Sequence, residues 1–291
     1  MFHNWVLFSL LSLKLFASGA WYQDMSQVSI AKKAIFNPQF LVLKAGVFSK
    51  TGHFTVAKAL NKLKLKNEGS RNLESIAWVT HRLSPGETLS KEAGEILGIE
   101  LSKKLLGTYF TSIELDIEPL TKAESWLEPF LKGIRKNLSS SFKLRLAVPV
   151  LSPKTVSGHF WSLQDGAQAI NWVDGLDVMV YDSGLKSQKE YSELFKNVFF
   201  FVMELVKQSP EKNIILGLPT YDDRTRLHDK EYENLETVLT TLKPFTPFQL
   251  KYYCSGQIRF AYYAGWTLSQ KDQSQHQQLE EWTNEICKKS L

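Results

Sequence analysis

The stretch SIELDIEPL (112–120) places Glu114, Asp116 and Glu118 at every second position, between Ile113, Leu115 and Ile117. A β-strand turns alternate side chains to opposite faces, so the three acids share one face and the three aliphatics the other. On an edge strand such a row faces water harmlessly. In the middle of a sheet, three acids on one face must be paired, protonated or functional. The neighbouring segments decide between these cases.

Outward from this stretch the chain alternates short β-rich runs with longer amphipathic ones. The expected strands are AWYQDM (20–25), FLVLKAGVFS (40–49), SIAWVTHRL (75–83), FTSIELDIE (110–118), KLRLAVPV (143–150), LDVMVYD (176–182), NIILGLPTY (213–221) and IRFAYYAGW (258–266). Between them lie segments with apolar residues at three- and four-residue spacing, such as 90–107, 123–138 and 189–208. Eight strand–helix units in this length predict an α/β chain folded as one (β/α)8 TIM barrel over residues 21–291. No glycine-rich phosphate loop follows the first strand, which disfavours an open doubly wound sheet. In a barrel of this type functional residues sit at the C-terminal ends of strands. Glu118 then ends the fourth strand at the active face, with Asp116 one layer deeper and Glu114 deeper still. A structural ion-pair network with Arg145 is the competing explanation of the row. Lys44, inside the second strand, is a further interior base that could pair with it.

The 291 residues carry a net charge of +5, with 43% hydrophobic and 22% charged residues, an ordinary globular composition. The lysines are scattered and no aromatic-plus-basic stripe accompanies them, so no nucleic-acid partner is expected. Residues 1–20 (MFHNWVLFSLLSLKLFASGA) have a short apolar run followed by small residues and read as a signal peptide, which implies a secreted or periplasmic protein. A membrane-tethered N-terminus and a first barrel strand are the other readings. NVFFFVMELV (197–206) is too short to span a bilayer and reads as a buried helix, so no membrane span is expected in the mature chain.

The acids of the fourth strand resemble the family-18 glycoside hydrolases, the chitinase-like barrels, whose motif is D-G-x-D-x-D-x-E. Glu114, Asp116 and Glu118 match its last three acids, with Glu in place of the first of them; Thr111 and Ser112 replace the leading Asp-Gly. VMVYD resembles that family's M-x-Y-D and supplies Met179, Tyr181 and Asp182. AYYAGW places Trp266 where the family has a tryptophan beneath the sugar. The stretch 217–236 is not typical of chitinases and looks more like a bacterial branch of secreted barrel proteins.

The resemblance implies a secreted hydrolase of N-acetylhexosamine-containing glycans, working with retention through the substrate's own acetamido group. It makes Glu118 the general acid, Asp116 the residue that orients the acetamido group, and Tyr181 a hydrogen-bond donor to the acetamido oxygen. Glu114, Met179, Asp182 and Trp266 would line the sugar site. Apart from the resemblance, the barrel rule puts His81 and Arg82 at the end of the third strand, where one of them could bind substrate or His81 could be a satisfied loop histidine. It also puts Tyr221, Asp222, Asp223, Arg224 and His228 in a polar loop after the seventh strand, which either sets substrate choice or is a solvated ion-pair cluster. The alternatives are a glycan-binding protein without turnover, against which the retained Glu118 argues, and a barrel glycosidase for another carbohydrate. No cofactor is expected, no metal follows from the His and acid spacing, and the chain is expected to act as a monomer.

Cys254 precedes the eighth strand and Cys287 lies in a C-terminal helix expected to return to the same end of the barrel. The two could form a disulfide, or stand as two small buried thiols.

Overall fold

The computed structural model describes residues 18–22, 40–61, 74–151, 161–220, 228–263 and 270–288. The strands are β1 (Ser18–Tyr22), β2 (Phe40–Phe48), β3 (Phe54–Val56), β4 (Glu74–Arg82), β5 (Ser112–Glu118), β6 (Lys143–Val148), β7 (Gly175–Met179), β8 (Asn213–Pro219) and β9 (Ile258–Tyr263). All but β3 run parallel, in the order β1-β2-β4-β5-β6-β7-β8-β9, and β9 pairs back onto β1. The sheet therefore closes on itself as the eight-stranded barrel expected. β3 is an antiparallel addition to β2, too short and too irregular in its alternation to stand out in the sequence. Because of it, the fourth barrel strand is β5.

β5 lies between β4 and β6: Ser112 to Glu118 pair with Ile76 to Arg82 on one side, and Ser112 to Leu115 pair with Lys143 to Leu146 on the other. An exposed edge is thereby excluded as the reason for the acid row. Ile113, Leu115 and Ile117 are buried in the apolar layer between barrel and helices. A separate apolar cluster fills the barrel itself: Trp21, Phe40, Val42, Ile76, Trp78, Ile215 and Ala261. The two clusters follow from strand alternation, since one face of each strand points inward and the other toward the helices.

The outer helices include α1 (Lys58–Asn61), α2 (Lys91–Leu105), α3 (Leu127–Asn137), α4 (Leu163–Ala169), α5 (Gln188–Gln208), α6 (Leu235–Leu242), α7 (Lys251–Cys254) and α8 (Gln270–Lys288). Their starts are written in the sequence. Ser90, Ser187 and Asn234 each cap a helix by accepting the backbone N–H three residues on, and Ser162 with Asp165 forms a reciprocal capping box. α2 and α3 meet through Gly94 and Gly133, where an added Cβ would run into the Phe130 and Lys91 carbonyls. Val198, Phe199, Val202, Leu205 and Val206 of α5 are buried, as the reading of 197–206 as a core helix requires. No described helix is long and apolar enough to cross a membrane.

Residues 1–17 lie outside the described part, and most of the expected leader with them. Ser18, Gly19 and Ala20, which the sequence reading assigned to that leader, are paired in β1 with β9, and Gly19 and Ala20 also with β2. A leader ending at residue 20 would remove three paired residues from the first barrel strand.

Cys254 and Cys287 form a disulfide, with Cα atoms 5.3 Å apart, so of the two readings of the cysteines the bridge is realised. It fastens α8 to the α7 segment just before β9. The bridge closes a loop of 33 residues, worth roughly 3–4 kcal/mol in the chain-entropy model.

Candidate active site

The row of acids has two environments. At the bottom of the barrel Arg145, fully buried, donates from Nε to both carboxylate oxygens of Asp177 (2.9 and 3.0 Å), and its Nη2 also bonds Asp177. Asn213 takes the other terminal nitrogen, and Arg259, paired with Glu74, lies beside it. The expected ion-pair network with Arg145 therefore exists, but Asp177 is its acid. Glu114 stands just above. Trp21 Nε1 of β1 donates to its Oε1 at 2.9 Å. Burial, then the Asp177 carboxylate, push the Glu114 carboxyl well above the usual carboxylate range.

One layer up, Trp78 Nε1 of β4 donates to Asp116 Oδ2 at 2.9 Å. Asp116 is 8% exposed, and its Oδ1 has no hydrogen-bond partner among the described residues. Burial raises its pKa, opposed by the Trp78 hydrogen bond and by the Lys44 charge. Lys44 comes from β2, where the register with β4 slips between Lys44 and Gly46. Bulges of this kind re-aim side chains near functional sites. Its ammonium donates to Thr80 Oγ1 at 2.6 Å and sits 4.4 Å above the Trp78 ring. The interior lysine thus stands against the acid row, held by the tryptophan that holds Asp116. Burial lowers its own pKa, which the three carboxyls partly offset.

Glu118, the last residue of β5, opens onto the cavity at the barrel mouth. Partial burial, followed by the charge of Asp116, raises its pKa to about 7, against an opposing effect of Arg82. The cavity, of about 420 Å³, is lined by Glu114, Asp116, Glu118, Trp21, Trp78, Met179, Tyr181, Asp182, Tyr263 and Arg82, among others. Tyr181 stacks on Tyr263 with ring centroids 4.6 Å apart and planes 6° from parallel. The space for its ring exists because β8 carries Gly217, where a Cβ would stand 2.9 Å from the Tyr181 ring. Asp182 follows with φ 55°, a left-handed conformation that aspartate tolerates better than most residues, as the chain leaves β7 along the rim.

Of the residues singled out in the sequence, Glu114, Asp116, Glu118, Met179, Tyr181 and Asp182 are brought together in this cavity. Tyr221, Asp222, Asp223, Arg224 and Trp266 lie outside the described residues. Of the two residues at the end of the third barrel strand, Arg82 lines the cavity, whereas His81, expected among the substrate-binding residues, does not. Its Nδ1 bonds the Phe48 carbonyl (2.7 Å), its Nε2 bonds Glu87 (3.0 Å), and its ring stacks on Phe48. The alternation of β4 explains the difference. Ile76, Trp78, Thr80 and Arg82 share the interior face, so Arg82 reaches the cavity and His81 turns to the helices. Trp21, Trp78 and Tyr263 were passed over in the sequence, although the same alternation marks them as interior. His228 is buried and bonds Glu233, which also accepts from Ser183 N, just after β7. Among the described residues no group of three or more His, Cys, Asp or Glu is placed to hold a metal ion.

A closed parallel barrel of this kind has the fold of the chitinase-like glycoside hydrolases. Among solved structures it is similar to a chitinase from Chromobacterium violaceum (TM-score 0.59, 13% identity, covering 90% of this chain and 98% of that one). It is likewise similar to the spore cortex-lytic enzyme SleL of Bacillus cereus (TM-score 0.62, 12% identity, 89% and 73% covered) and to a chitinase from Bacteroides thetaiotaomicron (TM-score 0.58, 14%, 90% and 93%). No family model and no curated protein sequence matches the chain.

Proposed function

We propose that the protein is an exported glycoside hydrolase that cleaves N-acetylhexosamine-containing glycans with the substrate's acetamido group as nucleophile. The observation that carries this reading is the pairing of Glu118 with Asp116 in one cavity. Glu118 stands at the mouth with its pKa raised to about 7, and Asp116, one layer deeper, is held by Trp78 through one oxygen and keeps the other unpartnered among the described residues. A protonated carboxyl at the rim suits a general acid. A buried, open acceptor below it suits an amide N–H arriving with the substrate.

In this mechanism Glu118 gives its proton to the glycosidic oxygen as the bond from that oxygen to C1 breaks. The acetamido carbonyl oxygen closes on C1 from the other face, forming an oxazolinium ring. Asp116 accepts the acetamido N–H and stabilises the positive charge that develops there, and the Tyr181 hydroxyl donates to the acetamido oxygen. The Glu118 carboxylate then takes a proton from the water that opens the ring at C1, which restores the acid and retains the anomeric configuration. Lys44 favours the ionised form of Asp116. The N-terminal apolar run and the disulfide support export to an oxidising compartment.

The pH dependence tests the role of Glu118. A general acid works while protonated, so kcat/KM on an aryl N-acetylhexosaminide is expected to fall as pH rises through about 7, the value to which the Glu118 carboxyl is raised. A rate that climbs steadily from pH 6 to 9 would show that a protonated Glu118 is not required.

A further inference from the structure

The cavity is lined by the carboxyl groups of Glu114, Asp116, Glu118 and Asp182 and, among the described residues, by a single cation, Arg82. Arg82 ends β4 and pairs in register with Glu118, the end of β5. Leu83 N donates to the Glu118 carbonyl at 2.6 Å, which fastens the chain leaving β4 to the end of β5. The place of Arg82 is therefore set by the barrel. Its guanidinium is nevertheless exposed and makes no hydrogen bond or ion pair among the described residues. Lys44 differs in both respects: it bonds Thr80, lies over the Trp78 ring and does not line the cavity.

The Arg82 charge works against the chemistry of its neighbour. Glu118 is faced by Asp116 on its own strand, Arg82 on β4, Lys44 on β2, Asp182 after β7 and Tyr263 on β9. Burial, then Asp116, raise the Glu118 pKa, and Asp182 adds to them, whereas Arg82 and Lys44 draw it down. A cation beside a group that must keep its proton is unfavourable for a general acid unless an anion arrives to offset it.

We infer that Arg82 selects acidic glycans, by pairing with a carboxylate on a sugar joined at the bond that is cut. The inference rests on the glycosidase reading of the cavity. A guanidinium presents parallel N–H donors that match a carboxylate in geometry and charge, whereas a neutral glycan offers it only hydroxyls. Glu118 protonates the bridging oxygen and Arg82 flanks Glu118 on the β4 side. The anion that Arg82 meets therefore belongs beside that oxygen, away from the acetamido group over Asp116. Two sugar chemistries supply such an anion: a lactyl ether on an N-acetylhexosamine, and the carboxylate of a uronic acid. Either one neutralises the guanidinium and removes its pull on the Glu118 proton, so that recognition of the acidic sugar also strengthens the hold of Glu118 on its proton.

The test is calorimetry on the full chain carrying Glu118→Gln, at about pH 6.5, where sugar carboxylates are ionised. The ligands are two pairs of β-1,4-linked N-acetylglucosaminyl disaccharides. One pair ends in N-acetylmuramic acid or its carboxamide, the other in glucuronic acid or its carboxamide. In at least one pair the acid is expected to bind about tenfold more tightly than the amide, the lower end of what a hydrogen bond between charged groups contributes, because Arg82 is exposed. The pair that shows the preference identifies the source of the carboxylate. Arg82→Gln should bring the ratio close to one, and Arg82→Glu should invert it. No preference for the acid in either pair, or a preference that survives both substitutions in folded protein, overturns the assignment. Neutral N-acetylglucosamine oligomers run alongside separate the two readings. If they bind while the acids show no preference, only the role of Arg82 falls; if no glycan binds at all, the glycosidase reading falls with it.

Discussion

Glu118→Gln is expected to lower kcat on a cleaved N-acetylhexosaminide by about 10²–10⁴-fold, the usual contribution of a positioned general acid. KM should change little, because glutamine keeps the shape and loses only the proton. Asp116→Asn in the same assay should also reduce kcat severely. It leaves an oxygen for the Trp78 hydrogen bond but removes the charge that would meet the acetamido group. Glycan binding by both variants, measured directly, should persist. If either keeps its rate within about threefold of the parent, the role given to that carboxyl is wrong.

The second large effect concerns stability and lies at the other end of the barrel. Arg145→Met is expected to destabilise the fold by about 3–5 kcal/mol, because it leaves the Asp177 carboxylate buried without its partner. The two side chains are both fully buried, so water cannot take over the lost hydrogen bonds without rearrangement. Arg145→Met combined with Asp177→Leu removes both charges and should recover much of the loss, since an apolar pair of similar volume often replaces a buried ion pair at little cost. Denaturant unfolding of the parent, the single and the double variant measures this. A single variant within about 1 kcal/mol of the parent would mean that the network does not brace the barrel floor in the way its burial indicates.

The barrel was legible in the sequence because each strand–helix unit announces itself locally: alternation for β5, three- and four-residue spacing for α2 and α5, serine caps before both. The acid row was legible for the same reason, since Glu114, Asp116 and Glu118 lie within one strand. Their partners were not. Trp21 is 93 residues from Glu114 and Trp78 is 38 from Asp116, and only barrel closure brings the indoles to the carboxyls. The division of the row into a deep acid beside Asp177 at the cavity floor and two nearer its mouth likewise depends on the layer each residue occupies. His81 and Arg82 show how far local reasoning reaches. Both end the same strand, and the one-residue difference that sends Arg82 inward is fixed by the phase of β4, which Trp78 already reveals. β3 left no signal, because three residues cannot display a period.

The claim that the substrate's own acetamido group does the nucleophilic work is tested most directly with two aryl glycosides that differ only at C2, one carrying an acetamido group and the other a hydroxyl. Removing a nucleophile held within the reacting molecule forfeits an effective concentration on the order of 10⁵ M or more. The account predicts measurable release of the aryl alcohol from the acetamido sugar and none from the hydroxyl sugar under the same conditions. Comparable rates on the two, or no cleavage of either, would contradict it.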